Sequence, residues 1–132
     1  MTEDGERISN RPRSPDLQVY QPTLTMTMSI AHRMTGAALY IGTILFVWWL
    51  VALAAGPAAY SVEQKFMGSL PGLIILFGFT WAALHHTLGG VRHLIWDTGI
   101  GHNHPWREYL ARATLFGSLS LTFILWIAGY LM

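Results

Sequence analysis

The sequence predicts an all-α integral membrane protein with three transmembrane helices, because it combines a high apolar content with three long stretches that lack charge. Of its 132 residues, 52% are hydrophobic and 11% are charged, whereas a soluble domain carries about a quarter charged residues. Asp, Glu, Lys and Arg are absent from Met34 to Val62, from Phe66 to Val91 and from Ala113 to Met132. Roughly 20 helical residues cross the hydrocarbon core of a bilayer, so each stretch is long enough for one span.

We place the three spans near residues 36–55, 71–95 and 113–131. Pro57 follows the first span and Pro71 opens the second, where a proline costs a helix little. Residues 29–132 are therefore expected to form one membrane domain. Residues 1–28 are expected to form a cytoplasmic, polar segment that lies along the membrane surface or against a soluble partner.

The basic residues predict the orientation of the chain. The arginines all precede or open the first span, or flank the second connection: Arg7, Arg11, Arg13, Arg33, Arg92, Arg107 and Arg112. Lys65 stands alone between the first two spans. The positive-inside rule then places the N-terminus and the 96–112 connection in the cytoplasm, and the 56–70 loop and the C-terminus outside.

Composition also excludes several classes of function. The formal net charge of +1 is too small to indicate a nucleic-acid partner. The chain has no cysteine, which excludes disulfides, thiolate metal sites and iron–sulfur ligation within it.

The second predicted span ends in a polar segment, HHTLGGVRHLIWDTG at 85–99, where such side chains are costly in lipid. His86 and His93 share one helix face at an axial separation of about 10.5 Å. This spacing suits a haem standing on edge, with His86 on the iron and His93, next to Arg92, at the propionates. Gly89 and Gly90 leave room for a macrocycle or for a closely packed neighbouring helix.

Several of these residues also have a purely structural interpretation. His85 points about 100° away from His86, so the two cannot reach one metal, and His85 would instead be hydrogen bonded to a neighbouring helix. Arg92 would extend to the membrane interface. Asp97 would only cap the helix or pair with Arg92.

The segment MSIAHRMTG at 28–36 opens the first predicted span. Ser29, His32 and Arg33 are spaced i, i+3 and i+4, so they converge on one side of the helix. A hydroxyl and a guanidinium together can donate hydrogen bonds to a quinone carbonyl, and these bonds strengthen as negative charge develops on its oxygen. The alternative is that Ser29 is an N-cap and that Arg33 only sets the orientation.

The two polar segments are not expected to share a metal within this chain. His32 is expected at the inner end of the first span, and His86 lies about 16 Å from the inner end of the second. Since these depths differ, a second imidazole for an iron bound by His86 would have to come from another subunit.

Three pieces of the sequence resemble one known family, in order and at consistent spacing. RPRSPDLQ at 11–18, SIAHRMTG at 29–36 and HTLGGVRHLIWD at 86–97 are similar to the patterns R-P-x3-D-L, S-x2-H-R-x-[ST]-G and H-x3-G-x-R-H-x3-D. These are patterns of the cytochrome b556 subunits, the larger membrane anchors of succinate dehydrogenase (respiratory complex II). The resemblance covers about residues 11–132.

The resemblance implies specific roles for residues of this chain. His86 falls on an axial ligand of haem b, although the adjacent His85 creates an ambiguity of one residue, which the spacing to Arg92 and His93 resolves in favour of His86. Ser29 and Arg33 fall on ubiquinone-binding residues. The residues near the haem propionates would be His32, Arg92 and His93. His102 and His104 lie outside the motifs and are interpreted as solvated loop residues.

The family also implies partners and a reaction. In a heterotetramer, a flavoprotein subunit oxidises succinate and an iron–sulfur subunit carries electrons to the membrane. This subunit and a second anchor, which supplies the other axial histidine, would bind haem b between them and reduce ubiquinone with two electrons and two protons. The implied location is the bacterial inner membrane rather than the mitochondrial one.

Three alternatives remain open at this point: a structural anchor without haem, the anchor of a fumarate reductase, and a small transporter. The transporter is disfavoured because such folds tend to show inverted repeats and broken helices, and the sequence shows neither.

Overall fold

The computed structural model of the chain describes residues 20–132 and contains four helices in this range. They are α1 (Leu24–Ala55), α2 (Pro57–Met67), α3 (Leu70–Asp97) and α4 (Trp106–Leu131). No strand is present between residues 20 and 132. The helices α1, α3 and α4 are each long and apolar enough to cross a membrane, which confirms the predicted all-α class with three spans.

Part of the predicted N-terminal organisation cannot be compared with the structure. The motif at 11–18, the arginines Arg7, Arg11 and Arg13, and most of the segment 1–28 lie outside the described residues.

Helix α1 begins well before the predicted start of the first span at residue 36. It starts at Leu24 and runs for 32 residues. Pro22 and Thr23 precede it, and residues 24–35 contain neither proline nor glycine, so nothing in this stretch stops a helix. His32 therefore lies about 12 Å inside the helix from its first residue, and not at its end.

Helix α2 occupies most of the segment for which the sequence predicted only a connecting loop. Its first residue is Pro57, a position that suits the fixed φ of proline. The preceding Gly56 has φ 106°, a conformation that other residues rarely adopt. Helix α2 buries two side chains, Glu63 and Met67, against the rest of the chain.

The packing of α3 against α4 depends on small and hydroxyl side chains. The buried residues of α4 are Ala111, Thr114, Ser118 and Thr122, spaced so that they share one face. Small residues of this kind allow two helices to approach closely within lipid. The hydroxyls of Thr114 and Thr122 donate to carbonyl oxygens of their own helix, at 2.9 and 2.7 Å, so neither is left unpaired in the core.

Candidate functional site

The imidazole of His32 on α1 inserts into the surface of α3 between His86 and His93. Its ring centroid lies 4.0 Å from that of His86 and 5.5 Å from that of His93. Gly89 lies between these two histidines, and a Cβ atom at this position would overlap the His32 ring. The absent side chain of Gly89 therefore makes room for the neighbouring helix. Gly90 differs, because a Cβ atom added there would meet nothing within 4 Å.

The structure places His32 and His86 at the same level, so the expectation that they differ in depth is wrong. The physical reason is the early start of α1, which carries His32 further along the bundle. The two rings are stacked, with 5° between their planes. Two imidazole rings stacked face to face cannot both direct a nitrogen lone pair at a metal ion held between them. These two histidines are therefore not the two axial ligands of a single iron.

The hydrogen bonds of His86 determine which of its ring nitrogens carries a proton. Its Nδ1 lies 3.1 Å from the backbone oxygen of His32 and 3.4 Å from Oγ1 of Thr35. A carbonyl oxygen only accepts hydrogen bonds, so Nδ1 carries the hydrogen and donates it. In a neutral imidazole this leaves the lone pair on Nε2, which is the form that binds a metal. Metal-bound histidines commonly donate their other N–H to a backbone carbonyl in this way.

His85 points away from His86 into the contact between α3 and α4. It is fully buried, and its Nδ1 lies 3.1 Å from Oγ of Ser118. Because Ser118 donates its hydroxyl hydrogen to the backbone oxygen of Leu115 at 2.9 Å, its oxygen is the acceptor for the His85 N–H. This interhelical hydrogen bond is the contact that the structural interpretation of His85 predicts.

Arg92 lies on the buried face of α3 with His85, but the Trp96 ring that its guanidinium approaches also contacts His93, at 5.2 Å between ring centroids. Arg92 is 3% exposed, so it does not extend to the surface as the structural interpretation required. Its guanidinium carbon lies 5.1 Å from the centre of the Trp96 ring. Its Nε and Nη1 have no hydrogen-bond partner within the part of the chain that the structure describes. Two unpaired donors on a buried cation fit an anionic group that comes from outside residues 20–132.

Asp97 does not pair with Arg92. It is the last residue of α3 and is exposed. The ion pairs between residues 20 and 132 lie elsewhere, on Glu108, which is 3.2 Å from His104 and 3.5 Å from Arg112. Asp97 is therefore separate from the histidine cluster.

Ser29 and Arg33 both lie on the exposed surface of α1. Nε of Arg33 donates to the backbone oxygen of Ser29 at 3.4 Å. The alternative of an N-cap role for Ser29 is wrong, because α1 begins at Leu24 and Ser29 lies within it. His32, although close in sequence, faces α3 instead. This chain thus presents a hydroxyl and a guanidinium on a surface next to the histidine cluster.

The two loop histidines lie outside this cluster and are exposed, as predicted. Nε2 of His102 lies 2.8 Å from the backbone oxygen of Trp96. Residues 20–132 contain no group of three His, Cys, Asp or Glu side chains poised to hold a metal ion.

Comparison with known proteins decides the family of the chain. The model of the succinate dehydrogenase/fumarate reductase transmembrane subunit family matches residues 7–128. The chain belongs to this family. It is 42% identical over 112 residues to the succinate dehydrogenase cytochrome b556 subunit of Paracoccus denitrificans, covering 85% of this chain and 86% of that protein.

Other members of the family are similar over most of the chain. The cytochrome b556 subunit of Rickettsia bellii is 33% identical over 128 residues, covering 96% of this chain and 100% of that protein. The human mitochondrial cytochrome b560 subunit is 39% identical over 99 residues, covering 74% of this chain and 59% of that protein. The chain is accordingly a multi-pass membrane protein of an oxidoreductase family.

Proposed function

We propose that this chain is the haem-binding membrane anchor of a succinate:quinone oxidoreductase, with His86 as an axial ligand of haem b. The observation that carries the proposal is the hydrogen bond from Nδ1 of His86 to the backbone oxygen of His32, at 3.1 Å. It leaves Nε2 as the free ligand nitrogen. His85 has the same tautomer, because its Nδ1 donates to Ser118 and its Nε2 has no partner among the described residues. Its ring, however, is fully buried between α3 and α4, where a haem cannot reach it.

The surrounding residues fit the chemistry of haem b. His32 has a buried Nδ1 without a partner among the described residues, and Arg92 has two such nitrogens. Together with His93 they offer donors to the two carboxylates that a haem carries. Gly90 adds open space one turn from His86. When bound, the haem would accept and release one electron at a time.

The same subunit would contribute to ubiquinone reduction through Ser29 and Arg33. Both side chains lie on the exposed surface of α1, where a quinone carbonyl can reach them. The hydroxyl and the guanidinium would orient this carbonyl. They would stabilise the negative charge that develops on its oxygen during reduction, since preorganised donors act most strongly on developing charge.

The proposal requires partner subunits. Because His32 and His86 cannot both ligate one iron, a second anchor subunit would supply the other axial histidine. An iron–sulfur subunit and a flavoprotein subunit would deliver the electrons of succinate oxidation. The bacterial relatives support placement in the bacterial inner membrane. The distribution of basic residues would place the N-terminus in the cytoplasm and the C-terminus in the periplasm.

Difference spectra of the purified complex test the role of His86. The reduced-minus-oxidised b-type absorbance is expected to disappear in His86→Ala and to persist in His85→Leu. Because the two variants change adjacent histidines, comparing them distinguishes the loss of a haem ligand from a general disruption of α3. Full haem content and an unchanged midpoint potential in His86→Ala would refute the assignment and would favour a structural anchor without haem.

A fumarate reductase remains the second candidate, because the matching family includes both enzymes. Quinone reduction by succinate and fumarate reduction by quinol, measured on the same preparation, distinguish the two directions. A faster fumarate reaction would identify the fumarate reductase.

A further inference from the structure

A cavity of about 510 Å³ lies at the opposite end of the α1–α3 pair from His86. Its lining comes from α1, α2 and α3 and is mostly apolar, and it includes Phe46, Trp49, Met67, Leu73 and Phe79. The polar members of the lining are Glu63 and Gln64 of α2. None of these residues belongs to the proposed haem or quinone site.

Glu63 is buried in this cavity even though it lies on the short helix that connects two spans. It is 1% exposed, and the sequence contains no other acidic residue between Asp16 and Asp97. Oε2 of Glu63 accepts a hydrogen bond from Nε2 of Gln64 at 2.9 Å, the one hydrogen bond to this carboxylate from residues 20–132. A buried carboxylate is costly unless a cation or strong donors pair with it. Residues 20–132 supply no cation to pair with this carboxylate.

The size of the cavity indicates what kind of partner fits. Sites for small molecules and cofactors usually enclose about 300–1,000 Å³. The cavity is therefore within the size range of a site for a small molecule or an acyl chain.

The apolar groove continues from this cavity along α1 and α3. A second cavity of about 470 Å³ shares Gly42 and Phe79 with the first and extends to Met34 and Ala38. One end of the groove therefore lies at the Glu63 carboxylate. Glu63 is on the helix that connects two spans, and such a connection lies at the level of the lipid headgroups. The groove continues between apolar side chains, where an acyl chain fits.

We propose that this groove binds a phospholipid whose headgroup carries a primary ammonium group, as in phosphatidylethanolamine. The ammonium pairs with Glu63 and an acyl chain fills the apolar cavity. An anionic phospholipid without an ammonium group would leave the Glu63 carboxylate unpaired and is excluded by its charge.

Lipid titration of the intact, delipidated complex tests this proposal. Native mass spectrometry compares phosphatidylethanolamine with phosphatidylglycerol of the same acyl chains. Wild type is expected to retain the first at least tenfold more tightly. Glu63→Gln is expected to remove this preference, whereas Glu108→Gln, which makes the same charge change at the other end of the bundle, keeps it.

A second variant tests the role of the cavity independently of the charge of Glu63. Leu73→Trp fills the cavity and leaves Glu63 in place, and it is expected to abolish retention of the lipid while haem absorbance persists. Equal binding of the two lipids by wild type would overturn the proposal, as would unchanged selectivity in Glu63→Gln. Loss of a partner subunit from Glu63→Gln with unchanged lipid binding would also overturn it, and would assign the carboxylate to a protein contact. None of these outcomes depends on haem ligation by His86.

Discussion

The imidazole of His32 lies flat against that of His86, with 4.0 Å between ring centroids and 5° between ring planes. The backbone oxygen of the same His32 accepts the Nδ1 hydrogen of His86 at 3.1 Å. One residue of α1 therefore fixes both the position and the tautomer of the proposed ligand on α3. Because second-shell partners of this kind orient metal ligands, changes in the contact between α1 and α3 are expected to affect haem binding.

Gly89→Ala is expected to destabilise this contact. The added Cβ would overlap the ring of His32, and overpacking of this kind costs about 1–3 kcal/mol. We expect a lower unfolding temperature of the purified complex and a lower haem content. The control is Gly78→Ala, also on α3, where an added Cβ meets nothing within 4 Å. Equal effects of the two substitutions would show that the His32 contact contributes little.

Gly90→Leu is expected to act on haem binding alone. The space beside Gly90 is open in this chain, and Gly90 lies one turn from His86. If a haem occupies this space, a leucine side chain would exclude it, and the Cβ atom of that leucine meets nothing within residues 20–132. Haem content is expected to fall while the unfolding temperature of the haem-free chain is not lowered, since leucine favours a helix more than glycine does. Full haem content in Gly90→Leu would place the haem elsewhere.

The sequence predicted the three spans correctly because a long stretch without charged residues is compatible with few structures other than a transmembrane helix. It did not predict the level of His32, because that depends on where α1 begins, and a run of Thr, Met, Ser and Ala gives no clear start. It also did not predict α2, whose 11 residues are too few for a strong periodic pattern. The different environments of His85 and His86 follow from which face of α3 packs on α4, and this is a tertiary property.

Ser118→Ala is expected to weaken the packing of α4 on α3, because it removes the acceptor for Nδ1 of His85. Interhelical hydrogen bonds in membranes contribute about 0.6 kcal/mol on average, so we expect a small decrease in thermal stability with the haem spectrum retained. Ser120→Ala, which alters an exposed serine of the same helix, is the control. A large loss of haem in Ser118→Ala would contradict the separation of His85 from the ligand site.

Ser29→Ala and Arg33→Leu are expected to lower succinate:ubiquinone reductase activity, because both side chains are proposed to hold the quinone. Succinate oxidation with an artificial acceptor is expected to persist, since it does not require the membrane site. Thr27→Ala is the control, because this exposed hydroxyl lies on the same helix and donates to the backbone oxygen of Thr23. If both activities fell equally in Ser29→Ala and Arg33→Leu, the defect would lie in assembly.

Arg92→Leu is expected to weaken haem retention without lowering the stability of the chain. Arg92 is 3% exposed, and its Nε and Nη1 have no partner within the described residues. A buried charge without a partner costs free energy, so its replacement by an apolar side chain is not expected to destabilise the chain. The haem-free chain is therefore expected to unfold at the same or a higher temperature, whereas the complex loses haem more readily. The control is Arg107→Leu at an exposed position of α4. A less stable haem-free chain, with haem affinity unchanged, would mean that the guanidinium is satisfied within the bundle and does not bind the propionates.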